Sequence, residues 1–139
     1  MVDAGALYAQ ADADESQHED VARVLQAERG PLVTSQLVVA GVDYLILKRL
    51  GIDVELSFLE DLAEGTYTVD ALTAPEVAIA RDVAARYRDL ELGLADASLV
   101  VLANRWQTRR ILTLDERAFR AVAPIQGGSF TLLPADESS

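Results

Sequence analysis

Short apolar runs alternate with longer amphipathic stretches along the whole chain, and that alternation restricts the fold more than any single residue. Leu32-Val33-Thr34, Tyr67-Thr68-Val69, Ile111-Leu112-Thr113-Leu114 and Phe130-Thr131-Leu132-Leu133 read as strands, the last set off by the Gly127-Gly128 turn. Between them the spacing predicts helices. His18 to Glu28 turns Val21, Val24 and Leu25 to one side and stops at Gly30-Pro31. Ser35 caps a helix through Leu50 with Leu37, Val38, Val42, Leu45 and Ile46 inward, closed by Gly51. Asp53 caps another through Glu64, with Leu56, Leu59 and Leu62 as its apolar row. Thr73-Ala74-Pro75-Glu76 is a capping box opening a helix whose inward positions are Val77, Ala80, Ala84 and Tyr87. Leu94 to Trp106 is a further, strongly apolar helix. Strands joined by helical crossovers form a parallel sheet covered on both faces, so the expected class is α/β.

No repeat or Pro/Gly/Ser linker divides the 139 residues, a length typical of one domain. Residues 1–134 are expected to form that domain, with 135–139 as a frayed acidic tail. The absence of Cys excludes disulfides, thiolate metal sites and cysteine nucleophiles, and a single His excludes a His-rich metal site. With 23 acidic against 12 basic residues the net charge is −11, which opposes nucleic-acid binding over the surface as a whole but not at a local basic patch. The N-terminus has no basic, apolar leader and no run reaches the ~20 residues of a membrane span, so a soluble cytoplasmic protein is expected, with no membrane partner.

In parallel α/β sheets ligands gather beyond the carboxyl ends of the strands. Asp3, Asp96 and Asp115 fall at such places: after the first apolar residues, at the start of the apolar helix, and at the end of Ile-Leu-Thr-Leu. Each also has a plain structural explanation: a terminal surface charge, a charge favoured at a helix N-terminus, and a turn or cap residue, respectively. Taken jointly they suggest more. Carboxylates gathered without bases repel, and a hard divalent cation, Mg²⁺ or Mn²⁺, is the usual compensation. Such a site suits phosphodiester hydrolysis.

The phrases Val2-Asp3-Ala4-Gly5-Ala6-Leu7, Thr34-Ser35 before Leu37-Val38-Val39-Ala40, Val42-Asp43-Tyr44-Leu45, Gly93-Leu94-Ala95-Asp96-Ala97, and Ile111 to Asp115 followed by Phe119 resemble, in order, a PIN domain of the VapC toxin type. Pro124-Ile125 and Phe130 to Pro134 extend the resemblance over nearly the whole chain. It implies a small α/β/α domain, a Mg²⁺- or Mn²⁺-dependent endoribonuclease acting on structured RNA such as tRNA or rRNA, a VapB-type antitoxin as partner, and a homodimer. It also implies that Asp3 and Asp96 are direct metal ligands and that Asp115 completes the catalytic set. An acidic groove favours a basic inserted segment of the antitoxin, an Arg above all.

One expected carboxylate is missing. Where the resemblance places Glu, in a phrase like Val-Ala-Glu-Val-Asp-Tyr-Leu, this chain has Gly41, and Gly inside a helix costs about 1 kcal/mol relative to Ala. Either Gly41 admits a closely packed neighbour, or the active site is disabled. Asp43 is no substitute, since two residues further is about 200° around the helix. Among the other residues, His18 reads as a solvated side chain and Trp106 as packing. Arg105, Arg109 and Arg110 suggest an RNA path or, more simply, charges complementing a helix end, as do Lys48 and Arg49. Three functions follow: a toxin-type ribonuclease impaired at Gly41, a catalytically inactive module binding an antitoxin or RNA, and an acidic-pocket phosphatase or response-regulator domain. The third is weakened because no nucleophile motif is visible.

Overall fold

The structure is a computed structural model that describes residues 1–137. Four three-residue strands carry the sheet: β1 (Val33–Ser35), β2 (Thr68–Asp70), β3 (Arg110–Leu112) and β4 (Thr131–Leu133). β1 pairs in parallel with β2, with Thr34 opposite Val69, and β3 with β4, with Ile111 opposite Leu132. Residues 1–3 join the two pairs. The Val2 amide donates to the Val33 carbonyl (2.8 Å), the Asp3 amide to that of Leu112 (2.9 Å), and the Leu112 amide to that of Met1 (2.8 Å). The Thr34 hydroxyl adds a buried bond to the Val2 carbonyl at 2.8 Å. Val2 is fully buried at the centre of this sheet, so the residue after it is delivered to the carboxyl edge.

Among the described residues seven α-helices surround the strands: α1 (Ala4–Ala11), α2 (His18–Ala27), α3 (Gln36–Leu50), α4 (Ile52–Glu64), α5 (Ala74–Arg86), α6 (Gly93–Arg105) and α7 (Glu116–Ala121). The α/β class and parallel pairing follow the sequence expectation. The most deeply set helix is α6, buried without interruption from Ala97 to Ala103 and packed on β1, α3 and α5. Its apolar residues run all round, as a central helix requires. Among the described residues no helix is long and apolar enough to cross a membrane.

Several details differ from the sequence expectation. The spacing did not reveal α1 or α7, both short and both capped by aspartates singled out above: the Asp3 carboxylate accepts from the Ala4 amide, that of Asp115 from the Ala118 amide. On α4 the apolar row is turned: Leu56 and Leu59 are 54% and 41% exposed, while Glu55 and Phe58 face inward with Val54 and Leu62 against the core. The i, i+3, i+6 set drifts off one face, whereas 54, 55, 58 and 62 keep helical register. The cap of α4 is Gly51 rather than Asp53, which lies in its first turn. On α5 Val77 is exposed, leaving Ala80 and Val83 buried. On α3 Leu37 is exposed and Val38, Val42 and Ile46 form the core stripe. Instead of fraying, the tail turns back as far as it is described: the Asp136 and Glu137 amides donate to the Leu132 and Pro134 carbonyls. Residues 138 and 139, the end of the expected tail, lie outside the described residues.

Candidate active site

Asp3 stands at the carboxyl edge of the sheet because three backbone hydrogen bonds hold its strand between β1 and β3. Contrary to a terminal surface charge, it is only 4% exposed. One carboxylate oxygen accepts from the Ala4 amide at 2.7 Å and the other from the Thr113 hydroxyl at 2.8 Å. Thr113 in turn accepts from the Asp115 amide at 2.9 Å. That hydroxyl ties the loop carrying Asp115 to Asp3. Asp115 itself spends one oxygen on the Ala118 amide and remains open to solvent.

Asp96 comes from the other side, half-buried in the first turn of α6. Gly93 opens that helix with φ 74°, a conformation favouring glycine, and three residues later the side chain reaches the sheet edge. Asp3 and Asp96 face each other and act on each other's ionisation, and Asp115 adds its charge to both. Burial and these like charges push Asp96 up to about 7. Asp3 is also raised, by burial first, against the opposing effect of Thr113 and Ala4. Among the described residues no Lys, Arg or His forms an ion pair with any of the three. Next to them Ser98 and Ser35 lie buried with hydroxyls 2.8 Å apart, while Ser35 caps α3 through the Val38 amide. This bond fixes the starts of α3 and α6 relative to each other.

Oxygen donors without counter-charge suit a hard divalent cation, which needs only one or two carboxylates when waters and phosphate oxygens complete its shell. No three acidic or His side chains among the described residues are drawn into a closed ligand cluster. The donor set therefore fits Mg²⁺ or Mn²⁺ in kind, with the pair Asp3 and Asp96 at its centre.

Gly41 lies exposed in α3, and a Cβ placed there would meet nothing within 4 Å. The close-packing explanation for this glycine is thereby removed. Asp43 is directed elsewhere: it faces Glu55 of α4, whose carboxyl it raises, and one of its oxygens is buried with no hydrogen-bond partner.

The basic candidates are not at this edge. Arg105 ends α6 and clamps β2 to α5, donating to Glu76 (2.9 Å), Asp70 (3.1 Å) and the Ala71 carbonyl (2.9 Å). Arg109 donates to the Gly127 and Gln126 carbonyls and Arg110 to Glu28. All three lie near the start of β3, at the sheet edge opposite Asp115. Trp106 belongs to the same cluster, its indole N–H donating to Asp70 at 2.8 Å. Lys48 and Arg49 lie over the rings of Tyr44 and Tyr8. His18 is half-buried rather than solvated, its Nδ1 2.7 Å from the Ala9 carbonyl.

Sequence reasoning missed the roles of Thr113 and Ser98 and read Ser35 only as a helix cap. Thr113 is the one polar residue in a buried strand run, a signal available in the sequence; the serine pair, 63 positions apart, left none.

Comparison with known proteins agrees with this fold. The family model described as PIN domain matches residues 1–124. The chain is 43% identical over 134 residues to "Ribonuclease VapC26" of Mycobacterium tuberculosis, covering 96% of this chain and 99% of that protein. Its fold is similar to the crystal structure of Mycobacterium tuberculosis VapC20, titled a Sarcin-Ricin loop cleaving toxin, with a TM-score of 0.77 at 17% identity, over 84% of this chain and 89% of the other.

Proposed function

Because the chain belongs to the PIN domain family, we propose that it is the toxin of a type II toxin–antitoxin pair, a metal-dependent endoribonuclease for structured RNA whose activity is curtailed by Gly41. The observation that carries this is the convergence of Asp3, Asp96 and Asp115 at one sheet edge without a neighbouring base. When bound, Mg²⁺ or Mn²⁺ supplies an activated water and charge stabilisation at the phosphate. Asp3 and Asp96 would hold the cation. Thr113 orients Asp3 by donating to one of its oxygens, and Asp115, held by its cap bond to α7, adds negative charge on the solvent side.

A Glu at position 41 would project from α3 into open space and add the carboxylate that the resemblance expects. Gly41 supplies none, and groups that act as a unit lose most of their rate when one is absent. The same observation keeps a second reading alive, in which the chain binds RNA or its partner without cutting. The partner is a VapB-type antitoxin offering an Arg to the acidic edge, and the toxin acts as a homodimer in the cytoplasm. Support for protein partners comes from Tyr44, Leu47, Ile52, Leu56 and Leu59, all exposed on the α3–α4 hairpin. The test is RNA cleavage with Mg²⁺ or Mn²⁺ by this chain and by Gly41→Glu, each with and without Asp96→Asn. Metal-dependent cleavage by Gly41→Glu that Asp96→Asn abolishes supports the nuclease. Its absence gives way to the binding module.

A further inference from the structure

Beside the acidic edge lies a cavity of about 300 Å³, near the lower limit of small-ligand pockets, and its wall includes Thr113 and Leu114. One arginine, Arg23 of α2, lines it beside Asp20, Glu116 and Glu137. A second, Arg120, stands on α7, the helix that Asp115 caps, one turn after Glu116. Both are about half exposed, and each is held by one carboxylate of its own helix, Asp20 at 2.9 Å for Arg23 and Glu116 at 3.4 Å for Arg120, and by one of the C-terminal segment. Arg23 donates to Glu137 at 2.6 Å and Arg120 to Asp136 at 2.8 Å. The segment is itself fastened, because Asp136 also accepts from the Leu132 amide at 2.8 Å. On the same helix, one turn before Arg120, Arg117 makes no ion pair among the described residues.

An RNA approaching Asp3 and Asp96 needs cations for its flanking phosphates, and the arginines at the far edge, 105, 109 and 110, are engaged there and too distant to serve. A guanidinium bound to a carboxylate presents the same fork of donors that it would offer a phosphate. We infer that Arg23 and Arg120 are the phosphate-binding residues of this nuclease, and that Asp136 and Glu137 occupy them as internal competitors of the RNA backbone. The inference rests on the RNA-cleaving reading above. Neutralising the two tail carboxylates leaves each arginine only its exposed partner on the same helix, Asp20 or Glu116, which a phosphate can displace, and each phosphate contact adds about 0.7–0.9 to the slope of log affinity on log salt.

The experiment measures binding of a stem-loop RNA in EDTA, across a salt series, so that cleavage plays no part. The variants are Glu137→Gln with Asp136→Asn, the same pair combined with Arg23→Ala and Arg120→Ala, and a charge-matched control, Glu60→Gln with Glu64→Gln, both exposed on α4. Asn at 136 keeps an acceptor for the Leu132 amide, and Glu137→Gln alone serves if the pair folds poorly. The expected result is tighter binding for the tail variant, with a salt slope steeper by about 1.5, lost when the arginines are removed and absent from the control. An unchanged slope, or an equal gain in the control, overturns the inference while leaving the nuclease reading intact. RNA binding by none of the proteins overturns both.

Discussion

At the amino-terminal edge of the sheet Arg105, Arg109 and Arg110 are each engaged by a carboxylate or a carbonyl, whereas at the carboxyl-terminal edge Asp3, Asp96 and Asp115 share space without a base. The first arrangement closes within the chain. Arg105 alone ties the end of α6 to β2 and to the first turn of α5, and Glu76, already part of a capping box with Thr73, is held down to about 2 by that guanidinium. The second arrangement is incomplete by itself, since burial and like charge both oppose the ionised state. Charges that stabilise are paired locally, and those left unmatched point to something that must arrive from outside.

The largest effect expected is on catalysis. Gly41→Glu should raise metal-dependent RNA cleavage by about 10²-fold or more, the scale of one positioned catalytic group. Its stability should change little, because relief of the mid-helix glycine, about 1 kcal/mol, is offset by a further negative charge on a chain already at −11. Thermal unfolding measured beside cleavage separates the two.

Next comes metal addition. Mg²⁺ or Mn²⁺ at a hundredfold excess over Kd should stabilise the protein by about 2.7 kcal/mol, seen as a rise in Tm. Asp96→Asn should remove that response and, without metal, raise the Tm, since one of the mutually repelling carboxylates is gone. A metal response preserved in Asp96→Asn would break the contrast between the two edges.

At the opposite edge Arg105→Ala should cost about 1–2 kcal/mol, because Glu76 and Asp70 lose their partner at a partly screened site. Its pH dependence carries a sign. The Glu76 carboxyl lies below its ordinary 4.5, so the pair's contribution is fully present above that value and lost as pH falls through about 2. Urea unfolding between pH 5 and pH 2, at about half-unit steps, should therefore show wild type and Arg105→Ala converging in acid.

The smallest effect is expected for RNA affinity in Arg109→Ala and Arg110→Ala. Their guanidiniums hold the Gly127 turn and Glu28, away from the acidic edge, so binding in EDTA should stay unchanged. A marked loss of affinity would place the RNA path across the paired edge.

The sequence by itself determined the α/β class and the four strand runs, because strand alternation and the Thr73 capping box are local patterns. It also exposed the anomaly at Gly41, since a helix-interior glycine breaks a local propensity. Only the tertiary structure decided which way α4 turns, burying Glu55 and Phe58 rather than Leu56 and Leu59. It alone placed Thr113 between Asp3 and Asp115, positions separated by 110 and by 2 residues, and set Ser98 against Ser35. The arginines show the reason most plainly. Proximity in sequence put Arg105, Arg109 and Arg110 beside Asp96 and Asp115, but α6 and β3 each run from one edge of the sheet to the other, and a few residues along either element are enough to exchange the site for its opposite side.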